Sequence, residues 1–363
     1  MRVGILTFHF GNNYGGILQC YALQKVIKSY GHTVEIINYL PTSLPLKKRL
    51  LNKFKSLHNI KDFTENLRRI KIKDNKENIL QEEKVLIIKS FDEFRTKNLN
   101  ISEQLTKDTI GRYANSHYDA IVVGSDQVWT SIFDPDSIYF IGWGPDYKGK
   151  RISYAACSAH SCVRGKRRKE LQTFIKKFDI ITVRDATTRE LVNNIINEKP
   201  EIVPDPTQLY DFKEFISSDS PEEPYILTYI LGGEIIGGHL NAIKKIKEQV
   251  GDISVYSIIN PSNSVDIALY SDKSFYHLGP IDWVNLFTKA RIVYTDSFHG
   301  IMFSMKFNIP FLGYYKDIIR SSRLLYLKET LKTLNIVNNI EQIDRIEIVD
   351  QKVNDVDWIF ESI

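Results

Sequence analysis

Apolar runs of strand length recur along the chain, and most lead into a segment whose apolar positions return every three to four residues. The first unit is plain. "MRVGILTF" is followed by the loop "HFGNNYGG" and then by "ILQCYALQKVIKSYG", where Ile17, Leu18, Tyr21, Ala22, Val26 and Ile27 fall at helical spacing. Gly31 stands where a helix end favours glycine, and "HTVEIINY" follows as a second strand. A β-α-β opening of this kind predicts a parallel sheet with right-handed crossovers.

Between Leu44 and Asn98 the pattern turns helical and charged, opened by Pro41 and Pro45, and reads as helices inserted between strands. "YDAIVVGSDQVW", "RISYAACSA", "DIITVRD" and "PEIVPDPTQL" then supply further strands, with "RRKELQTFIKKF" as an amphipathic helix. The composition shifts at "FISSDSPEEP", Phe215 to Pro224, which predicts a linker. Beyond it the alternation restarts with "YILTYIL", "LNAIKKIKEQV", "DISVYSII", "DWVNLFTKA", "RIVYTDS", the helix after it, "IPFLGY" and "SRLLYLKETLKTLN". The expectation is two Rossmann-like α/β domains facing a cleft: residues 1–214 with a helical insertion at about 44–98, residues 224–335, and a C-terminal tail at 336–363.

Composition narrows the class. With 363 residues, 43% hydrophobic and 25% charged, the chain is that of a folded two-domain protein. A net charge of +4 is too small to imply a nucleic-acid partner. The basic residues between Lys47 and Lys73 suit either a solvated helical face or contact with an anionic membrane surface or a phosphate-bearing substrate. Cys20, Cys157 and Cys162 lack zinc spacing, no secretory signal precedes the first strand, and a reducing cytoplasm is the simpler compartment. The apolar stretches are too short to span a bilayer, so any membrane association is expected to be peripheral.

Polar clusters collect at the predicted carboxyl ends of strands, where open α/β sheets bind ligands. Gly11, Gly15 and Gly16 in "HFGNNYGGILQ" let the backbone turn tightly and approach a ligand, with the following helix start offering free amides to an anion, although the spacing is no dinucleotide fingerprint and a plain glycine turn would explain it as well. In "GSDQVW", Asp126 either caps the next helix or joins Gln127 in binding sugar hydroxyls, with Trp129 packed on the sugar. Arg184 in "VRDATTRE" either holds a phosphate or carboxylate or pairs with a nearby acid. In "YTDSFHGIMFSMK", Asp296 and Ser297 are candidate caps, and His299 is either a satisfied helix-entry residue or a proton carrier. Lys316, Arg320 and Arg323 follow the next strand. There is no P-loop and no metal-ligand spacing, so these residues point to a transferase or hydrolase acting on a phosphorylated anion.

Taken in order, "GILTFHFGNNYGGILQCYALQ", "IVVGSDQVW", "ISYAACSA", "ITVRD", "VPDPT", "YTDSFHGIMFSMKFNIPFLGY" and "SSRLLYLKETL" resemble the polysaccharide pyruvyl transferase family from Arg2 to about Asn335. The resemblance implies a GT-B-like fold and transfer of pyruvyl from phosphoenolpyruvate, without metal or cofactor. The product is a ketal on a sugar of a cell-surface polysaccharide or its lipid-linked precursor. It implies His299 as the catalytic residue and places Arg184, Ser297, Phe298, Gly300, Lys316, Arg320 and Arg323 on the donor. Where some members carry arginine two residues before the histidine, this chain has Ser297. The donor phosphate then falls to backbone amides, to Ser297 or to the later cations. Acceptor contacts are expected from Asn13, Tyr14, Gly15, Gln19, Asp126, Gln127 and Trp129, on the amino-terminal side of the cleft. A nucleotide-sugar glycosyltransferase and a non-catalytic glycan-binding protein are the competing expectations.

Overall fold

The computed structural model describes residues 1–39, 77–134, 136–217, 223–259, 265–316, 322–350 and 353–363. Arg320, most of the proposed insertion and the whole Lys47–Lys73 basic run lie outside the described residues.

The first unit runs β1 (Arg2–Leu6), α1 (Tyr14–Ser29), β2 (Thr33–Ile36), α2 (Glu77–Asn98), α3 (Ile110–His117), β3 (Ala120–Val123) and β4 (Lys150–Ala156). It continues with α4 (Gly165–Ile175), β5 (Ile180–Val183), α5 (Ala186–Ile196), β6 (Glu201–Ile202) and the single turn α6 (Pro206–Leu209). The second unit runs β7 (Tyr225–Tyr229), α7 (His239–Val250), β8 (Ser254–Ile258), β9 (Lys273–Phe275), α8 (Pro280–Thr288) and β10 (Ile292–Thr295). After these come α9 (Phe298–Lys306), β11 (Phe311–Tyr314), α10 (Ser322–Leu331) and β12 (Ile336–Val337), with α11 (Asp357–Glu361) last.

Among the described residues the strands form two six-stranded sheets, ordered β2-β1-β3-β4-β5-β6 and β12-β11-β10-β7-β8-β9, with parallel pairing throughout. The expectation of two Rossmann-like α/β units therefore holds. Central strands β3, β7, β10 and β11 are buried along their whole length, because helices cover both sides of a parallel sheet. Their sequences accordingly read as apolar runs without polar alternation. In each sheet the strand order reverses once, between β1 and β3 and between β7 and β10. Loops leaving the carboxyl ends at such a reversal splay apart and leave a crevice.

Some elements depart from their pattern. "PEIVPDPTQL" yields only the two-residue β6, since Pro204 and Pro206 cannot donate to a ladder; Pro206 instead opens α6 and Asp205 caps it. Phe215, at the edge of the presumed linker, is buried against the Tyr21 ring with centroids 5.0 Å apart and belongs to the core. The segment after residue 335 is no free tail. It begins with β12 on the second sheet and returns to the first unit, where α11 packs Phe360 against Tyr30 and Tyr154. Tyr14 at the start of α1 stacks on Trp283 of α8, centroids 5.5 Å apart, and donates to the Leu278 carbonyl. One continuous hydrophobic core consequently runs beneath both sheets.

Candidate active site

The carboxyl ends of β3, β5 and β6 deliver Asp126, Arg184 and Asp205 to one point, and the start of α9 brings His299 from the second unit to meet them. Ser297 caps α9, its Oγ accepting from Gly300 N at 3.2 Å. That cap aims the next two side chains, Phe298 and His299, out of the helix start. Gly300 lets the helix lie close on β10, where any Cβ would stand 2.6 Å from Thr295 Oγ1.

His299 is 5% exposed, and its Nε2 lies 3.6 Å from Asp205 Oδ2, an ion-pair separation just longer than a hydrogen bond. That nitrogen has no hydrogen-bond partner. Asp205 Oδ1 accepts from the Thr207 amide at 3.0 Å and from Thr207 Oγ1 at 2.8 Å, which fixes the carboxylate plane. Burial alone would raise the Asp205 carboxyl, but the nearby His299 and the charge of Arg184, with the Thr207 amide, hold it well below the ordinary aspartate range. The ring is backed by Gly15 of α1. A Cβ there would fall 2.0 Å from His299 Nδ1, so backbone and imidazole are in direct contact. The glycine loop thus approaches a side chain of the other unit where sequence reasoning places a ligand.

Arg184 is buried and its fork is already used. Nη1 donates to Asp205 Oδ2 at 2.6 Å and Nη2 to Asp126 Oδ1 at 3.2 Å, while Nε has no acceptor. The guanidinium lies 4.6 Å from the centre of the Phe298 ring, and that of Arg323 lies 5.5 Å from the same centre. Arg323 also reaches within 4.0 Å of Asp126 Oδ1. Asp126 caps nothing: its backbone sits at φ 67° and its carboxylate serves these two arginines.

Two pockets meet at Phe298. One, of about 460 Å³, is lined by Gly232, Gly233, Asp296, Lys316 and Arg323 at the β7/β10 reversal. Asp296 is no helix cap. It accepts from the Leu231 and Gly232 amides at 2.6 and 2.7 Å and so ties down the loop after β7; burial pushes its carboxyl up to about 6 against those bonds. Lys316 is exposed there and forms no ion pair among the described residues. The other pocket, of about 950 Å³, opens beside Arg184 and Asp205 between β6 and α10.

The expected acceptor residues fare unevenly. Asn13 is the cap of α1, its Oδ1 accepting from Gly16 N at 3.2 Å. The Tyr14 hydroxyl is spent on Leu278, and Gln19 donates to Thr7 Oγ1 and the Gly16 carbonyl from a buried position. Trp129 cannot carry a sugar. It is fully buried, donates from Nε1 to the Tyr139 carbonyl and stacks on Phe140, because the short helical turn after β3 folds back into the core. Asp126 stays in the charge network with Arg184 and Arg323, and Gln127 after it is half-buried. Asp205 escaped the reading from residues alone. Its only local signal is an acid between two prolines with Thr207 beyond, which marks a cap and says nothing of the arginine and histidine that reach it through space.

A family model described as polysaccharide pyruvyl transferase matches residues 13–317, a span holding Asp126, Arg184, Asp205 and His299. No curated protein sequence matches the chain. Among solved structures, a Listeria monocytogenes protein titled a UDP-N-acetylglucosamine 2-epimerase is similar at a TM-score of 0.51 and 15% identity, covering 94% of this chain and 85% of that one. The Methanocaldococcus jannaschii UDP-GlcNAc 2-epimerase in complex with UDP-GlcNAc and UDP is similar at 0.50 and 12%, covering 94% and 90%. An Escherichia coli heptosyltransferase with ADP is similar at 0.43 and 12%, covering 94% and 96%. At such identities the likeness concerns the fold, which is GT-B-like with two parallel-sheet units. The family follows from the match itself, which covers most of the chain: this protein belongs to the polysaccharide pyruvyl transferase family.

Proposed function

We propose that the protein transfers the pyruvyl group of phosphoenolpyruvate to two hydroxyls of one sugar unit, in a polysaccharide or its lipid-linked precursor, as a ketal. The observation that carries this reading is the buried His299 imidazole set against an ionised Asp205 and directly following Phe298, which lines a small pocket with two cations, Lys316 and Arg323. A proton donor and an anion site side by side are what an enol phosphate requires.

In the proposed reaction His299 gives its proton to the methylene carbon of the enol, and the adjacent carbon becomes cationic. A sugar hydroxyl oxygen bonds to that carbon and releases its proton to His299. The bond to the phosphate oxygen then breaks, inorganic phosphate leaves, and the second hydroxyl oxygen closes the ketal as its proton passes to the departing phosphate. One phosphoenolpyruvate and one diol thus give one ketal and one phosphate. Lys316 and Arg323 stabilise charge on the phosphate as it builds. Asp205 keeps the imidazole oriented, and Arg184, held by two carboxylates, fixes Asp205 in turn. Phosphate release in the presence of isolated glycan, with the ketal methyl resonance followed by proton NMR, tests the reaction. The wild type is expected to give both signals and His299→Ala neither, with phosphoenolpyruvate binding largely kept. Turnover by His299→Ala would refute the assignment.

A further inference from the structure

The larger pocket holds the more informative surface. Its floor is apolar, formed by Met302, Leu327 and Leu331, with Tyr326 beside them on α10. Its rim mixes both signs of charge. Arg189 and Lys199 are exposed there together with Glu201 and Asp350, and none of the four forms an ion pair among the described residues. The 460 Å³ pocket differs in kind, with two cations facing one carboxylate that already accepts two amides. An aromatic and aliphatic floor ringed by separate donors and acceptors suits a neutral polyhydroxylated ligand, whereas a cationic pocket suits an anion.

Two further observations favour a ligand there. The buried Arg184 Nε lies without an acceptor in a residue that lines this pocket. A buried donor left unpaired costs on the order of 1–3 kcal/mol, and an oxygen entering from the pocket would satisfy it. The amino-terminal residues expected to meet the sugar are also engaged elsewhere, as a helix cap (Asn13), in a bond to Leu278 (Tyr14), in loop bonds (Gln19) and in the core (Trp129).

We infer that the acceptor saccharide lies in the 950 Å³ pocket between β6 and α10, on Tyr326, with Arg189, Lys199, Glu201 and Asp350 holding its hydroxyls. Donor and acceptor then meet at Phe298, which lines both pockets and adjoins His299. This inference rests on the proposed reaction for the word acceptor, but the sugar site itself does not depend on the donor. The volume, about twice that of the other pocket, has room for more than one sugar unit.

The test is saturation-transfer NMR of the full chain with a panel of neutral disaccharides of galactose, glucose and mannose at millimolar concentration. Phosphoenolpyruvate binding by calorimetry is measured in parallel. Signal from at least one disaccharide is expected in the wild type and in Lys316→Ala, and a loss of roughly tenfold in affinity in Tyr326→Ala. Lys199→Ala, at an exposed position, guards against a folding effect and is expected to weaken the same sugar. Sugar binding together with no phosphoenolpyruvate binding would support the pocket and overturn the donor. Sugar binding that survives both pocket variants but vanishes in Lys316→Ala would overturn the pocket, as would silence from every disaccharide.

Discussion

At the scale of single residues, the site depends on contacts between side chains far apart in the chain. Gly15 is the clearest case. Alanine is the better helix former by roughly 1 kcal/mol, yet its methyl would fall 2.0 Å from His299 Nδ1. Gly15→Ala is therefore expected to lower kcat by about 100-fold, as a displacement on the order of 1 Å does, and to cost about 1–3 kcal/mol of stability by overpacking; steady-state phosphate release and denaturant unfolding measure the two effects. Asp205 is the second case. Removing one partner of a buried ion pair costs about 3–5 kcal/mol, and Asp205→Asn leaves Arg184 and His299 short of a counter-charge. The folded carboxyl lies below its ordinary value near 3.8, so its stabilisation is complete above that value and lost as pH falls through the folded one. Denaturation curves should separate wild type from Asp205→Asn near neutral pH and draw together in strong acid. His299 and Arg184 stood out in the sequence because they follow strand ends. Asp205 did not, since a charge network closed by the fold leaves no local spacing.

At the scale of elements, strands and long helices were legible because burial on both faces writes itself as apolar runs and helical periodicity. β9 and β12 were not, having three and two residues at sheet edges and too little length for a period. The loop after β3 misled for a related reason. "SDQVW" reads as an exposed polar turn, but a short helical turn carries Trp129 back under the sheet to stack on Phe140. Trp129→Ala is expected to cost about 3–5 kcal/mol of stability, the range for an emptied aromatic site. Saccharide binding by the folded fraction should be unchanged. Denaturant unfolding beside NMR binding checks both, and selective loss of sugar binding at unchanged stability would restore the tryptophan to the site.

At the scale of the whole molecule, two parallel sheets turn their carboxyl edges toward each other, and neither unit holds a complete site. The first contributes the Asp126, Arg184 and Asp205 network with Gly15; the second contributes His299, Phe298 and the two cations. Sequence periodicity could announce two α/β units, while which loops meet depends on packing such as Tyr14 on Trp283. This division makes donor binding the decisive property, because the GT-B-like fold serves nucleotide-sugar chemistry equally well. The most direct measurement is calorimetric titration of phosphoenolpyruvate into the wild type and Lys316→Ala, repeated with a nucleotide sugar. Saturable phosphoenolpyruvate binding is expected, weakened in the variant by on the order of 1.5–3 kcal/mol for a lost charged contact, with no binding of the nucleotide sugar. Saturable binding of the nucleotide sugar with none of phosphoenolpyruvate, in the presence or absence of glycan, would contradict the proposed reaction.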